Sequence, residues 1–367
     1  MMMRRRSFVL TAGVAAVSAH KRAQDNPLLD TLSKHLDLLF DGREVAKLDG
    51  KDAEATTAMA FHRMAKITGE ARYRDATGQL ADRIVKGMRS SPVGLLDIKE
   101  WGADKIMYGG PPPLAWYGAY VPIILSSSGR MEDVRFIAGV LDRFPWHDGG
   151  WWSSTADVRT GQPLEPLDSP AIINKNCGMA MACAVTSELV AQADAPLAGR
   201  LRMRALKCLG NILPAQHSDG YWNYKLSGPE PVRKDTVGYF MLSTNFLIRL
   251  RELAPSFRQP ALDKALAKAE AFAMKEIAPM TAPNTGRHPA RPIGGATPDR
   301  YDPTDLPKRS YQLAVLLAHG GYTKEASRIL MHALASFPRG DRGQHGSQCV
   351  EPASMVAVLL GKEQLAV

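Results

Sequence analysis

Gly69-Glu70-Ala71-Arg72-Tyr73-Arg74-Asp75-Ala76 (GEARYRDA) reads as a helix stop followed at once by a helix start. Glycine takes the left-handed backbone that ends a helix, and charged residues open the next one. Apolar residues recur at helical spacing on both sides, so two helices joined by this short turn must lie antiparallel. The same device returns as Gly129-Arg130-Met131-Glu132-Asp133 and as Gly321-Tyr322-Thr323-Lys324-Glu325-Ala326. A repeated hairpin cannot bury its apolar face alone, so it calls for stacking on neighbours and for closure or caps.

Outward from these turns, apolar residues at i, i+3, i+4 and i+7 predict helices over 27–39, 52–68, 70–89, 113–127, 131–144, 170–193, 196–213, 236–254, 259–278, 308–320, 322–337 and 350–361. Sustained period-two alternation is almost missing, so the chain reads as all-α. Short turns alternate with long loops at about 90–112, 145–169, 214–235, 279–307 and 338–349. If the short turns make hairpins, every long loop emerges at one end of the assembly.

The N-terminus carries Arg4-Arg5-Arg6-Ser7-Phe8-Val9, then an apolar stretch to Ala19 that closes on small residues. This resembles a twin-arginine export signal over residues 1–23, with a single domain over 24–367, and implies a periplasmic or secreted protein whose passenger folds before crossing. Removing Arg4, Arg5, Arg6, Lys21 and Arg22 lowers the formal net charge from +9 to +4. A charge that small argues for neither nucleic acid nor a membrane surface as partner. No apolar run reaches the roughly 18 residues of a membrane span, so no stable insertion is expected after signal cleavage.

Cys177, Cys183, Cys208 and Cys349 form no C-x-x-C pair and have no histidine at metal-ligand spacing. They read as buried thiols, with a Cys183–Cys208 bridge between neighbouring helices left open. G-x-G-x-x-G, P-loop, H-E-x-x-H and G-x-S-x-G motifs are absent, and neither a metal nor a cofactor is expected. His62, His319 and His332 fall within helical patterns and read as packing or surface residues.

Six hairpins with long loops at one end resemble the (α/α)6 toroid of the six-hairpin glycosidases, the toroidal polysaccharide lyases and the terpenoid cyclases. An open helical solenoid is the alternative, but loops of this length would be odd there. Gln216-x-x-x-Gly220-x-Trp222 resembles the QW motif of the cyclases, in which Gln and Trp tie a helix end to its neighbour. His147-Asp148-Gly149-Gly150-Trp151 looks like a truncated second copy. The acidic D-x-D-D cluster of squalene-type cyclases does not occur, so the motif supports the fold more than that reaction.

The long loops are rich in aromatic and charged residues. Trp101, Trp151, Trp152 and Trp222 offer faces on which a pyranose could stack, although the same rings could pin loops to the rim. Arg233, Lys234, Tyr239, Arg287, His288 and Arg300 add donors suited to sugar hydroxyls and carboxylates. The expected partner is therefore a carbohydrate substrate, and the sequence sets no oligomeric state.

Two chemistries fit. Inverting hydrolysis needs two carboxyls about 6.5–9.5 Å apart, for which Asp148, Asp168, Asp219 and Asp302 are candidates. β-Elimination on a uronate needs a group for the substrate carboxylate, a base and an acid. Toroidal lyases use Asn, His, Tyr and Arg, and Asn174, Asn176, His217, Tyr224, Arg233 and Tyr239 resemble that inventory. The catalytic candidates are thus His217, Asp219, Tyr224, Asn174 and Asp148, with Asn174 and Asn176 also suited to helix capping. A glycan-binding protein without catalysis is the competing class.

Overall fold

The computed structural model describes residues 27–48, 51–96, 99–101, 106–111, 113–164, 171–226, 236–278, 305–336 and 349–364. Twelve helices occur among them: α1 (Pro27–Asp37), α2 (Lys51–Thr68), α3 (Ala71–Ser90), α4 (Pro113–Ser127), α5 (Met131–Arg143), α6 (Ile173–Val190), α7 (Ala195–Ile212), α8 (Thr236–Leu253), α9 (Pro260–Phe272), α10 (Asp305–His319), α11 (Thr323–Ser336) and α12 (Glu351–Gln364). A π turn, Ala273–Ile277, prolongs α9.

The even-numbered helices pack side by side in the order α2, α4, α6, α8, α10, α12, and α12 packs back on α2. That closure makes an (α/α)6 toroid and removes the open solenoid. The odd-numbered helices form the outer wall, with α1 lying against α12. Inner and outer helices differ in sequence for a physical reason. Along α6 the side chains from Asn176 to Ser187 are all buried, as a helix walled on every side requires, whereas α3 and α5 bury one stripe and expose the other.

The hairpin turns behave as their glycines predict. Gly69, Gly129 and Gly321 have φ of 76°, 76° and 79°. Beyond two of them the next amide reaches back over the helix end, Arg130 N to Leu125 O and Tyr322 N to Leu317 O, each at 2.9 Å. Because these turns lie at one end, all six inner helices begin at the other, where the long connections run.

A few short strands join the connections of this otherwise all-α fold. β1 (Phe40–Asp41) pairs β2 (Glu44–Val45); β3 (Lys99–Trp101), β4 (Ile106–Gly109) and β7 (Ala156–Asp157) make one antiparallel sheet; β5 (Trp146–His147) pairs β6 (Trp151–Trp152). Two to four residues are too few to show an alternation in sequence.

All four cysteines are free and buried. The Cys183–Cys208 bridge does not form; the Cys208 thiol instead faces the Asn176 carbonyl at 3.7 Å. Burial pushes the Cys177 and Cys349 thiols up to about 12, so neither is a ready nucleophile. No described helix is long and apolar enough to cross a membrane.

Candidate functional site

Three loops use one clasp. After α5, Gly150 N donates to His147 O at 2.9 Å; after α7, Gly220 N donates to His217 O at 3.0 Å; after α3, Gly94 N donates to Ser91 O at 3.2 Å. Each glycine has positive φ, and each is pressed on the next outer helix: Gly94 on Val140 of α5, Gly150 on Lys207 and Asn211 of α7, Gly220 on the Lys268 carbonyl of α9. His147-Asp148-Gly149-Gly150-Trp151-Trp152 and His217-Ser218-Asp219-Gly220-Tyr221-Trp222 are therefore structural equivalents. Their first and fifth rings stack alike, His217 on Tyr221 at 4.2 Å and His147 on Trp151 at 6.1 Å.

The clasp accounts for several residues expected at a binding surface. Trp222 is 1% exposed and donates Nε1–H to Ile212 O at 2.9 Å; Trp152 is also 1% exposed and packs edge-on against Trp146. Neither ring is available to a sugar, which corrects their assignment as stacking platforms. The Trp151 ring folds over Gly149, where a Cβ would lie 2.2 Å from it. Gln216 Nε2 donates to Gly220 O and to Ala265 O, both at 2.8 Å, tying the end of α7 to α9. His217, Asp219 and Asp148 thus ride on the outer wall; the Asp148 carbonyl accepts from Lys207 of α7. The placement of Asp148, Asp219 and His217 by the clasps departs from their expected convergence over the inner-helix ends.

Past its clasp, the third loop turns inward. Tyr224 O accepts from Ile173 N at 2.9 Å, which sets Tyr224 on the first turn of α6. Its ring packs on Tyr239 in the first turns of α8, with centroids 4.3 Å apart. Asn174, 3% exposed, opens α6 beside them, and its Oδ1 is buried with no partner. One helical turn below it, Gly178 meets Ala115 and Phe246, so this stripe of α6 faces the adjacent inner helices. The structure thereby brings Tyr224 onto Tyr239 at the mouth of the ring, with Asn174 in the first turn of α6 next to Ile173, whose amide holds the Tyr224 carbonyl. Asn176 is structural, because its Oδ1 accepts from Trp152 N at 2.8 Å and its Nδ2 donates to Ile172 O.

Deeper in the ring lies a half-buried Trp116, 4.5 Å from Phe246 and with the Arg249 guanidinium 5.3 Å from its ring centre. Beneath it is a charge cluster that sequence reasoning missed. Glu351 accepts from Arg249 Nη2 at 2.6 Å, from Arg63 Nη1 at 2.7 Å and from the Tyr120 hydroxyl at 2.7 Å. Arg249 Nη1 also donates to Asn245 Oδ1 at 2.8 Å. Burial alone would raise the Glu351 carboxyl, but the two guanidiniums outweigh it and hold the pKa at about 2. Burial pushes Tyr120 up, so it stays a neutral donor. Within this cluster two guanidiniums face one carboxylate. An Arg inside the otherwise apolar run Phe246-Leu247-Ile248-Arg249-Leu250 was the available signal.

Trp101 lies in β3, opposite Ile106. Arg233, Lys234, Arg287, His288 and Arg300 lie outside the described residues, as do Asp168, Asp302 and residues 1–23. Of the helical histidines, His62 and His319 are packed inside, His319 Nδ1 meeting Glu270 at 2.5 Å, and His332 is exposed. No group of three or more His, Cys, Asp or Glu side chains among the described residues is arranged to hold a metal ion.

No protein-family model matches the chain, and no curated protein matches it by sequence. Solved structures with similar backbones include a possible member of the GH105 family from Salmonella enterica serovar Paratyphi A, 10% identical, with TM-score 0.45 over 90% of this chain and 94% of that one. The Lin0763 protein from Listeria innocua is 11% identical, with TM-score 0.47 over 88% and 87% of the two chains. The type II terpene cyclase MstE from Scytonema is 15% identical, with TM-score 0.49 over 92% and 100%.

Proposed function

We propose that the chain is an exported carbohydrate-active enzyme that cleaves uronate-containing glycans at the mouth of the toroid, by elimination. The observation that carries this reading is the Tyr224–Tyr239 pair at the starts of α6 and α8, with the unpartnered Asn174 Oδ1 in the first turn of α6, above a cluster in which two guanidiniums face one carboxylate. Six inner helices also begin at this face, and their N-terminal ends favour anions. Together these features select a negatively charged sugar over a neutral one.

In the proposed reaction the C5–H and C4–O bonds of the uronate break and a C4–C5 double bond forms. The tyrosines are the proton carriers: one, acting as its phenolate, takes the C5 proton, and the other donates its hydroxyl proton to the leaving C4 oxygen. Asn174 Oδ1, an acceptor without a partner, takes a substrate hydroxyl. Trp116, half-buried below, offers the ring on which a sugar can stack. Arg233 and Lys234 would supply cations for the carboxylate.

The test is product chemistry. Mature protein incubated with a panel of uronate polysaccharides should release unsaturated ends that absorb in the ultraviolet. Reducing ends without that absorption would replace elimination with hydrolysis, and no product from any glycan would leave a binding protein in place of an enzyme.

A further inference from the structure

The opposite end of the ring, where the inner helices finish, holds a pocket of about 350 Å³. It is lined on one side by Met59, His62, Arg63, Lys66 and Ile67, the i, i+3, i+4, i+7, i+8 stripe of α2, and on the others by residues of α4, α8 and α12. The volume is within the range of small-molecule sites. Met59 and Met355 are nearly fully buried in its wall, while Lys66 stands exposed at its edge.

Two polar groups in this lining are unanswered. Arg63 is 6% exposed; its Nη1 serves Glu351 and Ser354, but its Nη2 is buried with no partner. His62 is 8% exposed, and its Nε2 is likewise buried with no partner. The carboxylate of Glu252, also in the lining, is engaged by Arg251 at 3.0 Å. Unanswered buried donors are costly, and beside Lys66 they ask for an oxyanion. The rest of the wall, Ile123, Leu253, Met355 and Val358, asks for a short hydrocarbon.

We infer that this pocket is a second ligand site, distinct from the mouth of the toroid, which takes a small carboxylate with an apolar tail, its head toward Arg63, His62 and Lys66. Burial, then the charges of Lys66 and Arg63, hold the His62 imidazole down to about 4, so it meets the ligand neutral and can donate one N–H. Since Arg63 also bonds Glu351, occupancy here bears on the axis cluster from below.

The probe is octanoate, titrated calorimetrically into the mature protein beside octanol and octylammonium. Octanoate should bind in preference to both, and Val358→Trp, which fills the pocket, should abolish binding while the cooperative unfolding transition is kept. Lys66→Glu, on an exposed side chain, should weaken octanoate about tenfold. It carries the test if the tryptophan variant fails to fold. Equal affinity for octanol, or octanoate binding unchanged in Lys66→Glu, would overturn the assignment, as would no binding at all. None of these results depends on whether the mouth of the toroid is catalytic.

Discussion

Arg249 of α8 and Glu351 of α12 meet at 2.6 Å on the axis of the ring, 102 residues apart in sequence and each 1% exposed. Such a pair is expensive to bury and more expensive to break, because removing one partner strands the other charge away from water. Glu351→Gln or Arg249→Met should each cost about 3–5 kcal/mol in denaturant unfolding. The double variant Arg249→Met/Glu351→Leu should cost less than the sum of its singles, since the Arg249–Glu351 pair is then removed whole, and the residual cost is that of Arg63 losing its carboxylate partner.

Glu351 of this cluster and His62 of the pocket below it make the fold acid-labile, in two windows. Glu351 has a folded-state pKa of about 2 against an ordinary 4.5, so its contribution is complete above 4.5 and is lost as pH falls toward 2. His62 is depressed from 6.5 to about 4, so its unfolded form binds more protons between those values and stability falls as pH drops through that range. Unfolding free energy measured from pH 7 to pH 3 should therefore decline first between 6.5 and 4. His62→Phe should flatten that first decline and leave the lower one.

The clasp glycines should be far less tolerant than the hairpin glycines. A Cβ at Gly220 would lie 2.3 Å from the Lys268 carbonyl oxygen, whereas one at Gly321 meets nothing within 4 Å. Gly321→Ala should cost only the left-handed backbone strain, about 1–2 kcal/mol. Gly220→Ala adds a backbone collision to that strain and should lower the unfolding midpoint well beyond it.

These contrasts show what the chain made legible. Glycine turns and apolar spacing were enough to place the hairpins, because both are local. The 259–278 helix reads as one piece in the sequence, although its last turn is wound as π, since periodicity does not report a one-residue change in hydrogen bonding. The facing of the loops was not legible. His217 and Tyr224 are seven residues apart, yet Gly220, pressed on Lys268 of α9, pins the first to the outer wall and Ile173 draws the second to the inner mouth; Lys268 and Ile173 are both distant in sequence. Trp152 and Trp222 look like binding aromatics for the same reason: their burial depends on neighbours outside the loop. The axis cluster was hidden because its members come from four helices.

A clasp built for packing should matter to stability and not to turnover. Gln216→Ala removes hydrogen bonds to Gly220 and Ala265 and should cost about 1–3 kcal/mol in thermal or denaturant unfolding. Any activity of the folded variant should match that of the parent.

The central claim is that chemistry sits at the inner mouth and not on the clasps. Ultraviolet detection of unsaturated ends, with the parent protein, Tyr224→Phe and His217→Ala run on the same uronate polysaccharide, tests it most directly. Tyr224→Phe should lose about 10²-fold or more of the rate, the scale of a proton-transfer group, while keeping the parent's stability. His217→Ala should retain the rate. Full activity in Tyr224→Phe with loss in His217→Ala would contradict the account and return the site to the outer wall.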